Sequence, residues 1–112
     1  MASYDEILKT EYSERFDDLR KKAMVTSFYK YGKASINYKQ NYIDAIESLK
    51  LRLQKYEETG NTEFLVDVAN FAMLEFMFPK NPKAHYQASD SDQSPGIVGM
   101  GINEIREFDN NN

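Results

Sequence analysis

The chain reads as an all-α domain: three main helices, two of them an antiparallel pair over about 41–59 and 62–78, followed by an irregular C-terminal tail. Three observations lead there. Apolar residues recur at spacings of three and four along each stretch, a small polar residue stands where a stretch opens, and a glycine or a proline stands where each one closes.

Ser3, with Glu6 three residues on, has the form of a capping box, and Tyr4, Ile7, Leu8 and Tyr12 then line one side. Ser13 restarts the helix, and Phe16, Leu19, Ala23, Ser27, Phe28 and Tyr31 follow at helical spacing up to the terminator Gly32. The first helix is therefore expected over about 3–31, with a break near Ser13. Lys33–Lys39 reads as a polar connection, extended around Ile36 and Tyr38. The second helix, about 41–59, carries Tyr42, Ile46, Leu49, Leu53 and Tyr56 on its core face and ends at Gly60. Thr62 is the expected cap of the third, whose first turn holds Glu63, the charge that a helix N-terminus favours. Pro79 stops this helix, since a residue before proline avoids helical backbone.

The third helix is apolar almost all round from Phe64 to Phe78, as expected of a central element. The short YEETGN link sets it antiparallel to the second. The expected core is Phe28, Ile46, Leu49, Leu53, Leu65, Val68, Ala72 and Phe76. Beyond Pro79 the chain is rich in Pro, Ser, Asp and Asn and reads as irregular. Ile97, Val98, Met100, Ile102, Ile105 and Phe108 offer anchors there, with a short helix expected near 102–108. The domain organisation expected is one helical domain over 1–109 and a disordered tail at 110–112.

A chain of 112 residues suits one domain. It contains no cysteine, which excludes disulfides, thiolate nucleophiles and zinc–thiolate sites. Its opening is acidic, without a basic segment leading into an apolar run, and no stretch suits a bilayer, so a cytoplasmic location and no membrane partner are expected. The net charge of −4 hides a segregated pattern. Residues 20–43 hold Arg20, Lys21, Lys22, Lys30, Lys33 and Lys39 with no acid, between two acidic flanks. Such a block bears on partners before it bears on fold.

Glu63, Asp67 and Asn70 lie on one face of the third helix. Two carboxylates one turn apart can bind a divalent cation, but a polar line facing solvent is the preferred reading. Glu75 projects on the apolar side, where it needs an arginine or tyrosine partner or a raised pKa. The basic block interleaves with Phe28, Tyr29, Tyr31, Tyr38 and Tyr42, the general recipe for single-stranded nucleic acid. Packing aromatics and solvated lysines are preferred to that reading. His85 stands alone in a loop with no catalytic signature. Asp90-x-Asp92-x-Ser94 lacks the glycine and glutamate of a calcium loop, and Gly96-x-x-Gly99-x-Gly101 has the wrong order for a dinucleotide fingerprint.

The run TGNTEFLVDVANFAMLEFMFPKNPKAHYQASDSDQSPG, with FYKYG upstream, resembles small phage and prophage (mobile-element) proteins over roughly residues 16–96. The resemblance implies a genomic habitat, where small accessory proteins bind host factors and include inhibitors of host defence such as anti-CRISPR proteins. A second, weaker similarity is to MazG-like all-helical nucleotide pyrophosphohydrolases, which hold magnesium between two acidic pairs on adjacent helices. Its counterparts here would be Asp44 and Glu47 with Glu63 and Asp67. The second pair is spaced by four rather than three, and the first begins with Asp rather than Glu.

The reading preferred is a host-protein binder, its partner a protein or ribonucleoprotein met through Lys21, Lys22, Tyr29, Lys30, Lys33 and Lys39. It needs no catalytic residue and no cofactor, and it is compatible with a homo-oligomer. The magnesium-dependent pyrophosphohydrolase is the alternative.

Overall fold

The structure, a computed structural model, describes residues 1–89, and every regular element among them is helical. The helices are α1 (Tyr4–Glu11), α2 (Glu14–Tyr31), α3 (Ala34–Lys39), α4 (Ala45–Thr59) and α5 (Glu63–Met77). Residues 1–82 form one compact unit, and the chain divides at Lys83. Residues 79–89 adopt neither helix nor strand, as the tail's composition implies. The anchors at 97–108, the short helix near 102–108, the glycine run, the calcium-like stretch and the 110–112 tail lie outside the described residues.

The break near Ser13 is real. Tyr12 is extended, and Ser13 opens α2 by accepting the Phe16 N–H on its hydroxyl at 3.0 Å, as Ser3 accepts that of Glu6 at 3.2 Å. Gly32 ends α2 with φ 79° and ψ −163°, backbone that side-chain-bearing residues avoid. Gly60 ends α4 in the left-handed region, donating its N–H to the Tyr56 carbonyl at 2.7 Å.

Three expectations are corrected. The stretch around Ile36 and Tyr38 is helical, forming α3. Six residues cannot hold a helix alone; Tyr38 is pinned in a cluster with Ala45 and Leu74, and the Asn37 amide donates to the Tyr31 carbonyl at 3.1 Å. The second helix opens at Ala45 rather than Asn41, because Asp44 accepts the Glu47 N–H at 3.0 Å and Asn41 turns the chain with φ 59°. At α5 the capping side chain is not Thr62, which is already helical, but Asn61, whose Oδ1 accepts the Glu63 N–H at 3.0 Å.

α4 and α5 form an antiparallel hairpin joined by three residues. α2 lies on one side of that hairpin, and α3 closes its open end, where the Tyr38 and Phe78 rings meet at 5.6 Å. The buried set is Tyr38, Ala45, Val66, Asn70 and Leu74. Leu49, Leu65 and Val68 are half-buried, whereas Phe28, Ile46, Leu53, Ala72 and Phe76 are exposed. The physical reason lies in α5. A helix apolar on all sides has no moment to say which stripe turns inward, and here the stripe Val66–Asn70–Leu74 does.

Candidate functional site

The polar line on α5 runs from solvent into the fold: Glu63 is exposed, Asp67 half-buried and Asn70 buried. Asn70 is 6% exposed and is held twice by one residue of α2: Arg20 Nε donates to Asn70 Oδ1 at 3.2 Å, and Asn70 Nδ2 donates to the Arg20 carbonyl at 3.1 Å. Arg20 also reaches the Met73 sulfur at 3.4 Å and stands 3.8 Å from Asp17. One turn earlier on the same line of α5, Asp67 pairs with Arg52 of α4 at 3.4 Å. Burial raises its pKa above the ordinary aspartate value, against the opposing pull of Arg52 and with a smaller push from Glu63. The line thus bolts α5 to α2 on one side and to α4 on the other.

That arrangement leaves the four acidic candidates apart. Asp44 caps the start of α4, and Glu47 stands in the first turn of that helix. The hairpin puts this end beside the last turns of α5, as the Ala45–Leu74 contact fixes. Glu63 and Asp67 occupy the first two turns of α5, and Asp67 is already engaged by Arg52. Among the described residues no group of three or more His, Asp or Glu side chains converges on a metal position. Within one chain these four carboxylates do not form the convergent magnesium cradle that a pyrophosphohydrolase needs.

Glu75 finds neither an arginine nor a tyrosine hydrogen bond. Its carboxylate accepts the backbone N–H of Lys80 at 2.9 Å, just beyond Pro79, and so secures the chain as it leaves α5. Lys80 in turn donates its ammonium to the Ile43 carbonyl and lies 5.2 Å over the Tyr38 ring. Tyr38 is enclosed here with a hydroxyl that has no hydrogen-bond partner among the described residues. Burial, then the charges of Glu75 and Asp44, push its pKa up to about 12.

The basic block splits between roles. Arg20 is spent inside the fold, and Lys21 stands 3.7 Å from Asp17. Lys21, Lys22 and Tyr29 share the side of α2 opposite the stripe of Phe16, Arg20, Ala23 and Ser27 that turns inward. Lys30 lies on a different flank, Lys33 stands at the start of α3, and Lys39 ends it. Two residues join the outward face that the sequence reading had not placed there. Val25 and Phe28 are 56% and 50% exposed beside Tyr29 at 82%, and Phe28 meets Tyr29 edge to face at 5.8 Å. The signal for them was the spacing of Val25, Phe28 and Tyr29 (i, i+3, i+4) on the side away from Arg20.

Between α2 and α5 runs an open groove of about 580 Å³. Phe16, Leu19, Ala23, Leu65 and Val66 form its apolar part, and Arg15, Glu63 and Asp67 stand among its polar residues. His85 lies in the loop, its Nδ1 at 2.8 Å from the Lys83 carbonyl. No described helix is long and apolar enough to cross a membrane. No protein-family model, no curated protein and no solved structure matches the chain.

Proposed function

We propose that this chain is a small helical binding protein of a mobile genetic element, which acts in its bacterial host by occupying the surface of a host protein, an inhibitor of host defence in the anti-CRISPR manner being the role that fits. The observation that carries the reading is the outward face of α2. Val25, Phe28 and Tyr29 make an apolar, aromatic centre, and Lys21 and Lys22 stand one turn away as a charged rim. Aromatic anchors within a polar border are the anatomy of protein interfaces. The lysine rim suits a partner whose own rim is acidic. Large apolar side chains gathered in one exposed patch serve binding better than they serve the solubility of a free chain.

The polar residues on α5 give this reading their support indirectly. Asn70 and Asp67 are consumed in holding helices together, so the fold offers α2 as a rigid platform rather than a reactive centre. The test is affinity capture from host lysate with the parent chain and with Tyr29→Ala and Val25→Glu. A host protein retained by the parent and lost by both variants is expected. An identical set of retained proteins in all three would remove α2 from the account.

A further inference from the structure

We infer that the protein is a homodimer, formed by pairing the face of the α4–α5 hairpin that no described helix covers with the same face of a second copy. Arg52 pairs with Asp67 and Ala45 packs with Leu74, which fixes the level of every residue along the hairpin. At one end Leu53 then stands level with Val66, between Leu65 and Val68 in height; at the other Ile46 stands level with Ala72 and Phe76. With Arg20 binding Asn70 from one side, helical geometry turns Ile46, Leu53, Val68 and Ala72 toward the opposite side, with Phe76 at its edge, whereas Leu65 and Val66 border the groove beside α2. Ile46 and Leu53 are 43% and 39% exposed, and Phe76 is 75% exposed.

Two features say that the occupant is another copy of this chain. Ile46 and Leu53 lie one heptad apart on the open side of α4, beside the half-buried Leu49 and Tyr56, the wide apolar stripe of a helix with two helical neighbours, and a pair of helical hairpins joined this way is a four-helix bundle. The rim is also self-complementary. Lys50 and Glu57 are exposed, lie seven residues apart on the same flank of α4, and make no ion pair with another described residue. A two-fold axis passing beside Leu53 sets Lys50 of each copy opposite Glu57 of the other, which is the isologous pattern a closed dimer requires.

The dimensions agree. Helices of fifteen residues are about 22 Å long, and two side by side are about 20 Å wide. Such a face has a flat footprint of about 440 Å², larger once corrugated, against the roughly 800 Å² per partner of standard interfaces, which suits a dimer that dissociates on dilution. The outward face of α2 stays free in this dimer, so each assembly presents two copies of it. A failed host-binding test leaves the dimer standing, and the reverse is also true.

Sedimentation equilibrium of the full chain tests the inference. Expected is a mass of two chains at high concentration, dissociating to one on dilution. Phe76→Glu, at a position already exposed to water, is expected to give single chains with helicity unchanged and a melting point that no longer rises with protein concentration, matching the diluted parent. Lys50→Glu and Glu57→Lys are each expected to weaken association, and the double reversal to restore it. Since the chain has no cysteine, Leu53→Cys supplies a measurement independent of stability: oxidation is expected to link two copies, whereas Val25→Cys on α2 is expected to leave them separate. One-chain mass at the highest concentration, a mass above two chains, or Val25→Cys linking as readily as Leu53→Cys would overturn the proposal.

Discussion

Arg20 and Asn70 satisfy each other in both directions, side chain to side chain and side chain to backbone, across fifty positions of sequence. An asparagine carries one acceptor and two amide hydrogens. Burying it between helices is tolerable only when a partner of fixed geometry meets it. Arg20 does so from the middle of α2, and its guanidinium spans from Asp17 to Met73. The registration of α2 against α5 therefore rests on a polar clasp rather than on apolar area alone.

Arg20→Ala leaves the buried Asn70 Oδ1 without its donor, though the backbone carbonyl at position 20 still accepts from Nδ2, and Asn70→Ala leaves the half-buried guanidinium without its acceptor. Arg20→Ala and Asn70→Ala are each expected to cost about 2 kcal/mol, the scale for a buried bond involving a charged group. In urea denaturation the double variant is expected to cost clearly less than the two singles together, because residues in one network do not add. Strict additivity would contradict the clasp.

Tyr38 offers a test of the hairpin's closed end. Its hydroxyl gains no hydrogen bond from the described residues, so Tyr38→Phe removes a buried polar group and is expected to stabilise the fold by roughly 1 kcal/mol in thermal or urea unfolding. The pH dependence follows with a definite sign. The folded pKa is raised from 10.0 to about 12, so the native state keeps its proton longer than the unfolded chain. The contribution of this group is full below pH 10.0 and is lost as pH climbs through about 12. Alkaline unfolding is thus expected to shift upward in Tyr38→Phe, and an unchanged alkaline midpoint would count against the burial of this ring.

Asp67 is raised in the folded chain chiefly by burial. By the same sign, its contribution is full below the ordinary value of 3.8 and falls as pH rises through the folded value, with Arg52 moderating the loss. Carboxyl-carbon NMR is expected to show a midpoint above that of an unfolded aspartate. Arg52→Ala should move it higher still, and Glu63→Gln lower. A midpoint that drops in Arg52→Ala would mean that the ion pair does not hold Asp67 in solution.

The boundaries of this fold were more legible than its faces. Ser3, Ser13, Gly32 and Gly60 each act through backbone chemistry within a few residues, which local sequence displays directly. α3 was missed because its helicity comes from Tyr38 packing on Ala45 and Leu74, a contact between distant positions. The inward stripes were misread for a related reason. Hydrophobicity ranks Ile46, Leu53 and Phe76 above Ala45, Asn70 and Arg52, yet close approach of α4 to α5 favours the small Ala45, and the clasp draws Asn70 inward. Of the residues proposed for binding, Lys21, Lys22 and Tyr29 share a face of α2; Lys30 sits on another flank of that helix, and Lys33 and Lys39 leave it because the chain turns at Gly32 into α3.

The central claim is that the outward face of α2 is a protein-binding surface, and calorimetric titration of the captured host protein tests it most directly. The parent chain is expected to bind with a negative heat-capacity change, the mark of apolar burial. Tyr29→Ala is expected to weaken binding by at least about tenfold, the scale of an interface anchor losing 1.4 kcal/mol or more. Lys39→Glu, away from that face at the end of α3, is expected to leave the affinity close to that of the parent. Equal affinity for the parent and Tyr29→Ala, with Lys39→Glu the variant that fails, would contradict the account.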